Sequence, residues 1–428
     1  MRSPIYLFLS RVAQSELKFN LRTRTRAMSA SDSGSESDTE VFDCSSVDVV
    51  NKYNLAAGIV DVAMQGVITQ CVAGKSIAEI CAFGDAVIEG QTKDLFKTQK
   101  MEKGVAFPTC ASVNEIVCHD SPLANESAEL AAGDFVKIDM GCHLDGFIAV
   151  AAQTIQVAPA EAAPITGPQA DVLRAAYEGS IIAASLIKAG SANAEVTAAL
   201  VKVADAYGVK AMQGTLMHQM KRFVVDGNKV VLLREEPDQK VEAHTFEENE
   251  VYAVDVAMSS GEGKPKESEQ RTTVFKRAVD KSYRLKMKAS RWVFNAVNEK
   301  FPTLPFTVRA LGDDRQGRMG VVECLKHDLL HPYPVLKEEA GTAVAHFKFT
   351  VLLLRNGTKQ ITLHNPAIDW DNVKSEKKLD DESQALVDAH FAAIKEGEAK
   401  KAAAKAKKKA AAKAKKAKKA AAGGAAAE

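Results

Sequence analysis

The chain predicts an α+β fold made of two related halves, and three observations in its 428 residues lead there. Apolar residues at helical spacing give way to segments of period two, and this order occurs twice. An ungapped offset of 116 residues superposes the two occurrences: Ala73, Gly74, Ala78, Glu79 and Ala82 fall on Ala189, Gly190, Ala194, Glu195 and Ala198, and Asp139 falls on Asp255. The stretch AVAHFKFTVLLL (343–354) alternates as a strand, with Phe347, Phe349 and Val351 on one face and His346, Lys348 and Thr350 on the other. Alanine matches alone carry little weight. One offset that also joins inward carboxylates on two strands implies one aspartate per half near a pseudo-twofold axis.

The elements follow in order. Residues 1–27 hold five Arg and one Lys against one Glu. This start reads either as a transit peptide or, because Met28 opens the acidic SASDSGSESDTE, as sequence ahead of an ordinary initiator. Residues 1–45 are expected to be a disordered leader whose serines are candidate phosphorylation sites. From Val47 to Thr98, apolar residues at helical spacing (Val50, Ala57, Val60, Ala63, Met64, Val67, Ile68, Cys71) predict two helices divided at Gly74. Residues 134–157 read as strand, glycine-containing turn and strand, a hairpin with a longer loop. A second helical stretch, 169–207, breaks near Gly190. Strand patterns return at 222–233, with Asp226-Gly227-Asn228 as its turn, and at 249–258. Between Arg277 and Leu336 the pattern leaves the repeat and becomes helical and basic, which predicts an inserted helical subdomain at 277–340. The main domain is then 46–276 together with 341–366, followed by a basic Lys/Ala-rich tail at 380–428.

Composition narrows the class. Hydrophobic residues make up 46% of the chain, enough for a large core, and the seven cysteines show no C-x-x-C spacing, which suits free thiols in a reducing compartment. No apolar run approaches the roughly 20 residues that span a bilayer, so no membrane partner is expected. The net charge of +1 conceals a split: residues 395–428 carry 12 Lys and 3 Glu, a charge of +9, against −8 for the remainder. The insertion adds a second basic stretch, KRAVDKSYRLKMKASRW, with Lys276, Arg277, Lys281, Arg284, Lys286, Lys288 and Arg291 against one Asp. In the tail the candidates are Lys400, Lys401, Lys405, Lys407, Lys408, Lys409, Lys413, Lys415, Lys416, Lys418 and Lys419. Both stretches suit phosphate, because lysines that release counterions from a nucleic acid give salt-sensitive affinity. Tyr283 and Trp292, interleaved with the cations, either stack on unpaired RNA bases or pack into the core, core packing being the plainer reading.

Lys348 poses the sharpest question, since a charge inside a core survives only beside a partner or by giving up its proton. The segments FPTCASVNEIVCH (107–119), VKIDMGCHLDG (136–146), GTLMHQ (214–219), EVYAVDV (250–256) and HFKFT (346–350) resemble, in order, the motifs of type II methionine aminopeptidases. That likeness spans about residues 47–365. SSGEGKPKESEQRTTVFKR (259–277), LKMKASR (285–291), RMGVVECLKH (318–327) and HFKFTVLLL (346–354) are more similar still to the proliferation-associated, ErbB-receptor-binding branch. The resemblance implies the pita-bread (creatinase/aminopeptidase) fold without peptidase activity.

In the active family two divalent metals are held by two aspartates of one hairpin, a histidine and two glutamates. Carried over singly, the first aspartate matches Asp139, the histidine His218 and the first glutamate Asp255. The second aspartate falls on Val150, expected opposite Asp139 across the hairpin and roughly 5 Å away, and the second glutamate falls on Lys348. His119 matches the substrate-contacting histidine, and Asp226 stands where the pocket has its second histidine. The expectation is therefore no catalytic residue, no metal and no cofactor, with Lys348 projecting into the former metal cavity to pair with Asp139, Asp255 or both. A structural ion network is the plainest reading of these residues, a single residual metal site the alternative. The resemblance further implies a monomer that binds the large ribosomal subunit near the polypeptide exit and structured RNA. Its role would lie in growth, translation and ribosome-biogenesis control, in cytoplasm, nucleus and nucleolus, with nuclear proteins as further candidate partners. The alternatives are a residual metal-dependent methionine aminopeptidase and a nuclear transcriptional regulator.

Overall fold

A computed structural model describes residues 42–159, 161, 163–235, 241–364, 366–393 and 396. The leader up to residue 41 and the tail candidates from Lys400 onward lie outside the described residues. In the first half, helices α1 (Val47–Ile68) and α2 (Ile77–Lys93) precede β1 (Lys103–Val113), the short β2 (Ile116–Cys118), β3 (Phe135–Leu144) and β4 (Phe147–Gln156). The second half runs from β5 (Ile165–Thr166) through α3 (Gly167–Leu186), α4 (Asn193–Tyr207), β6 (Lys210–Ala211), β7 (Leu216–Met220) and β8 (Val230–Leu232) to β9 (Val251–Ser259). After β10 (Lys266–Glu267) and β11 (Val274–Arg277) come α5 (Lys288–Lys300), β12 (Phe306–Thr307), α6 (Asp314–Lys326), β13 (Leu330–Tyr333) and β14 (Leu336–Lys337). The chain then returns through β15 (Val344–Leu354), β16 (Gly357–Gln360) and β17 (Val373–Lys374).

The principal sheet runs β1-β3-β4-β15-β9-β7-β8, with β16 also paired to β15 and β6 to β9. Strand β15 joins the halves, pairing β4 on one side and β9 on the other. The two halves repeat at the predicted offset down to single hydrogen bonds. Gly74 N donates to Leu130 O at 2.7 Å and Gly190 N to Phe246 O at 2.9 Å, while Ile77 N to Ala128 O (3.0 Å) recurs as Asn193 N to His244 O (3.1 Å). Gly74 (φ +81) and Gly190 (φ +92) lie in the loops that separate α1 from α2 and α3 from α4, in a left-handed conformation that costs glycine little.

Helix α3 packs on β9 and β15, and the face of β15 that alternation assigns to the core is the face it covers: Tyr177 and Phe347 have ring centroids 5.2 Å apart. Phe347, Phe349 and Tyr252 are buried, each such burial contributing about 1.5–3 kcal/mol. Residues 367–378 belong to the same body, since Trp370 stacks on Tyr177 at 4.4 Å and β17 pairs with β5. The described residues form two compact units, one through Lys378 and one from Leu379. In the latter, residues 381–393 are helical and the Asp380 carboxylate accepts from Ser383 N at 2.7 Å.

Several expectations need correction. The β3–β4 connection is not a longer loop but the two-residue Asp145-Gly146 turn, with φ of +57 and +78, the primed turn whose twist matches a hairpin. The strand expected at 222–233 is reduced to β8, and the stronger strand lies earlier, at β7; Asp226-Gly227-Asn228 does turn the chain between them, with Gly227 N donating to Gln219 O at 2.8 Å. Residues 278–287 are not helical. Cys44 is buried, so the packed body begins ahead of residue 46. The region 277–340 mixes α5 and α6 with the small sheet β12-β11-β13 around an apolar cluster that includes Leu285, Val293, Val297, Phe306 and Cys324. Gly320 lets α5 and α6 approach, because a Cβ there would sit 2.6 Å from Ala289 O. The seven cysteines are free, and no helix among the described residues is long and apolar enough to cross a membrane.

Candidate functional site

Strand register builds the site. Asp139 on β3 faces Ala152 on β4, Ala152 faces Lys348 on β15, and Lys348 faces Asp255 on β9. The four therefore share one face of the sheet, with the small Ala152 between Asp139 and Lys348. A lysine is long enough to lean over an alanine and still touch the neighbour on its other side. Its Nζ lies 2.7 Å from Asp139 Oδ2 and 2.9 Å from Asp255 Oδ2. The Lys348 side chain is 12% exposed, that of Asp139 5% and that of Asp255 8%, so the three form a buried ion network. Burial alone would push the ammonium down, but the two carboxylates override it and hold Lys348 above the usual lysine range. For Asp255 burial acts upward, and Lys348 and His346 outweigh it, keeping the carboxyl well below the usual carboxylate range. Lys348 pairs with both aspartates, the fuller of the expected arrangements.

His346 is the member that sequence reading missed. Its Nε2 sits 2.6 Å from Asp255 Oδ1. The signal was present, because His346 precedes Lys348 by two and shares its face. Val150 requires a correction: it faces Gly141, not Asp139. The tight turn sets the register with Leu144 opposite Phe147, which places Ala152 against Asp139 and Val150 one pair further along the same face.

These residues line a cleft of about 210 Å³ together with Phe107, Cys118, His119, His218, Asp226 and Tyr333. The structure thus gathers every sequence-predicted pocket residue. Burial keeps His119 and His218 below the usual imidazole value, favouring neutral rings at pH 7, and pushes the Cys118 thiol up to about 12. His119 (φ +67) presents Nδ1 to Pro334 O at 2.9 Å. The Asp226 oxygens lie 2.5 and 2.7 Å from Lys276 Nζ, and Tyr333 OH donates to Asp226 at 3.3 Å. Lys276, expected on a nucleic-acid surface, forms this pair at the cleft.

Asp139 Oδ1 and His218 Nδ1 are buried without a hydrogen-bond partner, so each retains coordinating or hydrogen-bonding capacity. The set nevertheless does not fit two divalent ions. One ammonium already pairs with both carboxylates, Val150 has no donor atom, and no group of three or more His, Cys, Asp or Glu among the described residues is disposed to hold a metal.

The remaining basic candidates of the insertion separate by exposure. Lys281, Arg284, Lys286, Lys288 and Arg291 are exposed, although Arg291 also donates to Lys286 O at 2.8 Å. The Arg277 guanidinium lies 5.7 Å from the Phe294 ring centroid. Trp292 packs against the insertion's apolar cluster, whereas Tyr283 is 39% exposed.

The fold and the cleft match a known class. The sequence profile of metallopeptidase family M24 matches residues 51–277. ERBB-3 binding protein 1 of Solanum tuberosum is 50% identical over 335 residues, covering 78% of this chain and 86% of its own. Proliferation-associated protein A of Dictyostelium discoideum is 40% identical over 370 residues, covering 86% and 95%. The solved structure of a thermophilic Arx1 is similar with a TM-score of 0.73 at 28% identity, over 80% of this chain and 98% of that one. The chain belongs to metallopeptidase family M24 and has its pita-bread fold. Within that family it belongs to the methionine-aminopeptidase-like branch whose members carry the names ERBB-3 binding protein 1 and proliferation-associated protein A.

Proposed function

We propose that this chain is a catalytically inactive aminopeptidase-like protein that binds ribosomes and RNA through its basic surfaces. We place its docking on the large subunit near the polypeptide exit, its role in translation, growth and ribosome-biogenesis control, and its location in the cytoplasm with nucleus and nucleolus. The observation that carries the loss of catalysis is the Lys348 ammonium lodged between Asp139 and Asp255. By the family correspondence, that nitrogen stands where paired metals would need oxygen donors. Like unit charges about 4 Å apart repel by roughly 4 kcal/mol even at an effective dielectric of 20, and a divalent ion doubles the effect. Asp226, at the position of the second pocket histidine, is held by Lys276 and Tyr333 and offers no imidazole for proton transfer.

With the pocket closed to hydrolysis, the cationic surfaces are the parts left to act. The exposed cations of 281–291 support this reading, as does the +9 charge of the tail sequence. Two assays test the two limbs. Incubation with methionine-initiated peptides and added cobalt or manganese should release no methionine, and turnover with either metal would overturn the inactive assignment. Ribosome co-sedimentation of the full chain should weaken with salt and fall on deletion of residues 395–428; unchanged association of the deletion variant would exclude the tail.

A further inference from the structure

The segment that was expected to be helical supplies the inference. Residues 279–284 are exposed throughout and form neither helix nor strand, yet they are pinned at both ends. Ala278 is buried and its N donates to Leu329 O at 2.9 Å, and Leu285 is buried in the insertion's core. Beyond Leu285, Lys286 N and Met287 N donate to the Glu323 carboxylate at 2.8 and 2.9 Å, and Arg291 reaches back to Lys286 O. Glu323 thereby fixes the backbone that enters α5, whose N-cap residue, Met287, offers no side-chain cap. At the middle of this braced span Tyr283 lies flat on the His327 ring, with centroids 3.5 Å apart and planes 13° apart. Tyr283 as a residue is 39% exposed, and Lys281, Arg284, Lys286 and Lys326 are exposed in the neighbouring sequence.

We propose that Tyr283 is a stacking platform for one unpaired RNA base, with Lys281, Arg284 and Lys286 taking the phosphates on either side. The inference rests on the RNA-binding reading above and adds to it the residue and the RNA state recognised. A flat aromatic face beside cations suits a base whose own face is free. An A-form duplex keeps its bases stacked inside and offers such a ring nothing to stack on. An acidic peptide would satisfy the cations but leave the ring unused, so charge together with the orientation of Tyr283 favours RNA. The His327 ring beneath and the pinned ends fix that orientation before the base arrives, which limits the ordering cost of binding.

The test uses the full chain and an RNA hairpin with 2-aminopurine at one loop position, titrated at several salt concentrations. Wild type should quench the probe; Tyr283→Trp should quench it as strongly. Tyr283→Leu, which keeps an apolar cover on His327, should bind roughly tenfold more weakly, without quenching and with an unchanged salt slope. Charge reversal at Lys281 and Arg284 should lower the slope. Equal affinity and quenching by Tyr283→Leu overturns the platform while leaving RNA binding intact. Equal affinity for a duplex without unpaired bases, or for poly-glutamate of matching charge, also overturns it. Absence of RNA binding by wild type overturns the underlying reading as well.

Discussion

Substituting Lys348 by Met keeps the length of the side chain and removes its charge, leaving Asp139 and Asp255 buried without their shared cation. In the wild type the sign of the linkage is clear: Asp255 is held below its usual range, so its contribution is present above the unfolded value, about 4, and is lost only as pH falls through the depressed folded value. Lys348 is raised, so its contribution is fully present below the ordinary lysine value and is lost as pH rises through the raised folded value. In Lys348→Met the buried carboxylates lose that cation, Asp255 keeping only His346 beside it, so they resist ionisation and stability falls as pH rises from 4 to 7. Urea unfolding should show a loss of about 3 kcal/mol at pH 7 and markedly less near pH 4. Adding Asp139→Asn and Asp255→Asn should recover most of it, whereas an equal loss at both pH values would exclude the ion network as the cause. These three residues were legible in sequence because a lysine on a strand demands a counter-charge. Val150 was misplaced because a register error of two residues keeps every side chain on its face, so alternation cannot detect it.

Glycines hold the elements that frame the cleft. Gly146 has φ +78 and a Cβ there would meet the Phe223 ring at 2.5 Å, so Gly146→Ala should cost about 2 kcal/mol in unfolding free energy through backbone strain and clash. A loss below about 0.5 kcal/mol would mean that the turn is not held as described. At Gly227 a Cβ would meet Gln219 O at 2.5 Å, which shifts the loop that carries Asp226. Gly227→Ala should therefore loosen the Asp226–Lys276 pair, and its stability effect should be less than additive with Asp226→Asn; strict additivity would separate the loop from the pair. Helix breaks at Gly74 and Gly190 were readable from composition alone. The non-helical 278–287 was not, because Lys, Arg and Leu all favour helix, and what prevails is tertiary: Leu285 fills the core and Glu323 takes the backbone N–H groups of Lys286 and Met287.

Across the whole molecule the 116-residue repeat delivers one aspartate from each half to the strand that joins them, and β15 sets a lysine between the two. The repeat was visible because the left-handed glycines and the strand carboxylates recur in register. The packing of Trp370 and β17 beyond Pro366 was not, since a short parallel pair and one stacked ring leave no periodic trace. Charge is segregated on the same scale: a body of −8 and a tail of +9 predict that RNA affinity falls steeply with salt, and that deletion of 395–428 flattens the slope of log K against log salt. An unchanged slope would place the phosphate contacts elsewhere on the chain. The most direct measurement is elemental analysis of the full chain after equilibration with cobalt or manganese and removal of free ion. With the Lys348 ammonium between its two aspartates, the protein should retain well below one transition ion per molecule, in wild type and in the tail-deleted form alike. A stoichiometric pair of ions, with Lys348 turned away from Asp139 and Asp255, would contradict the account.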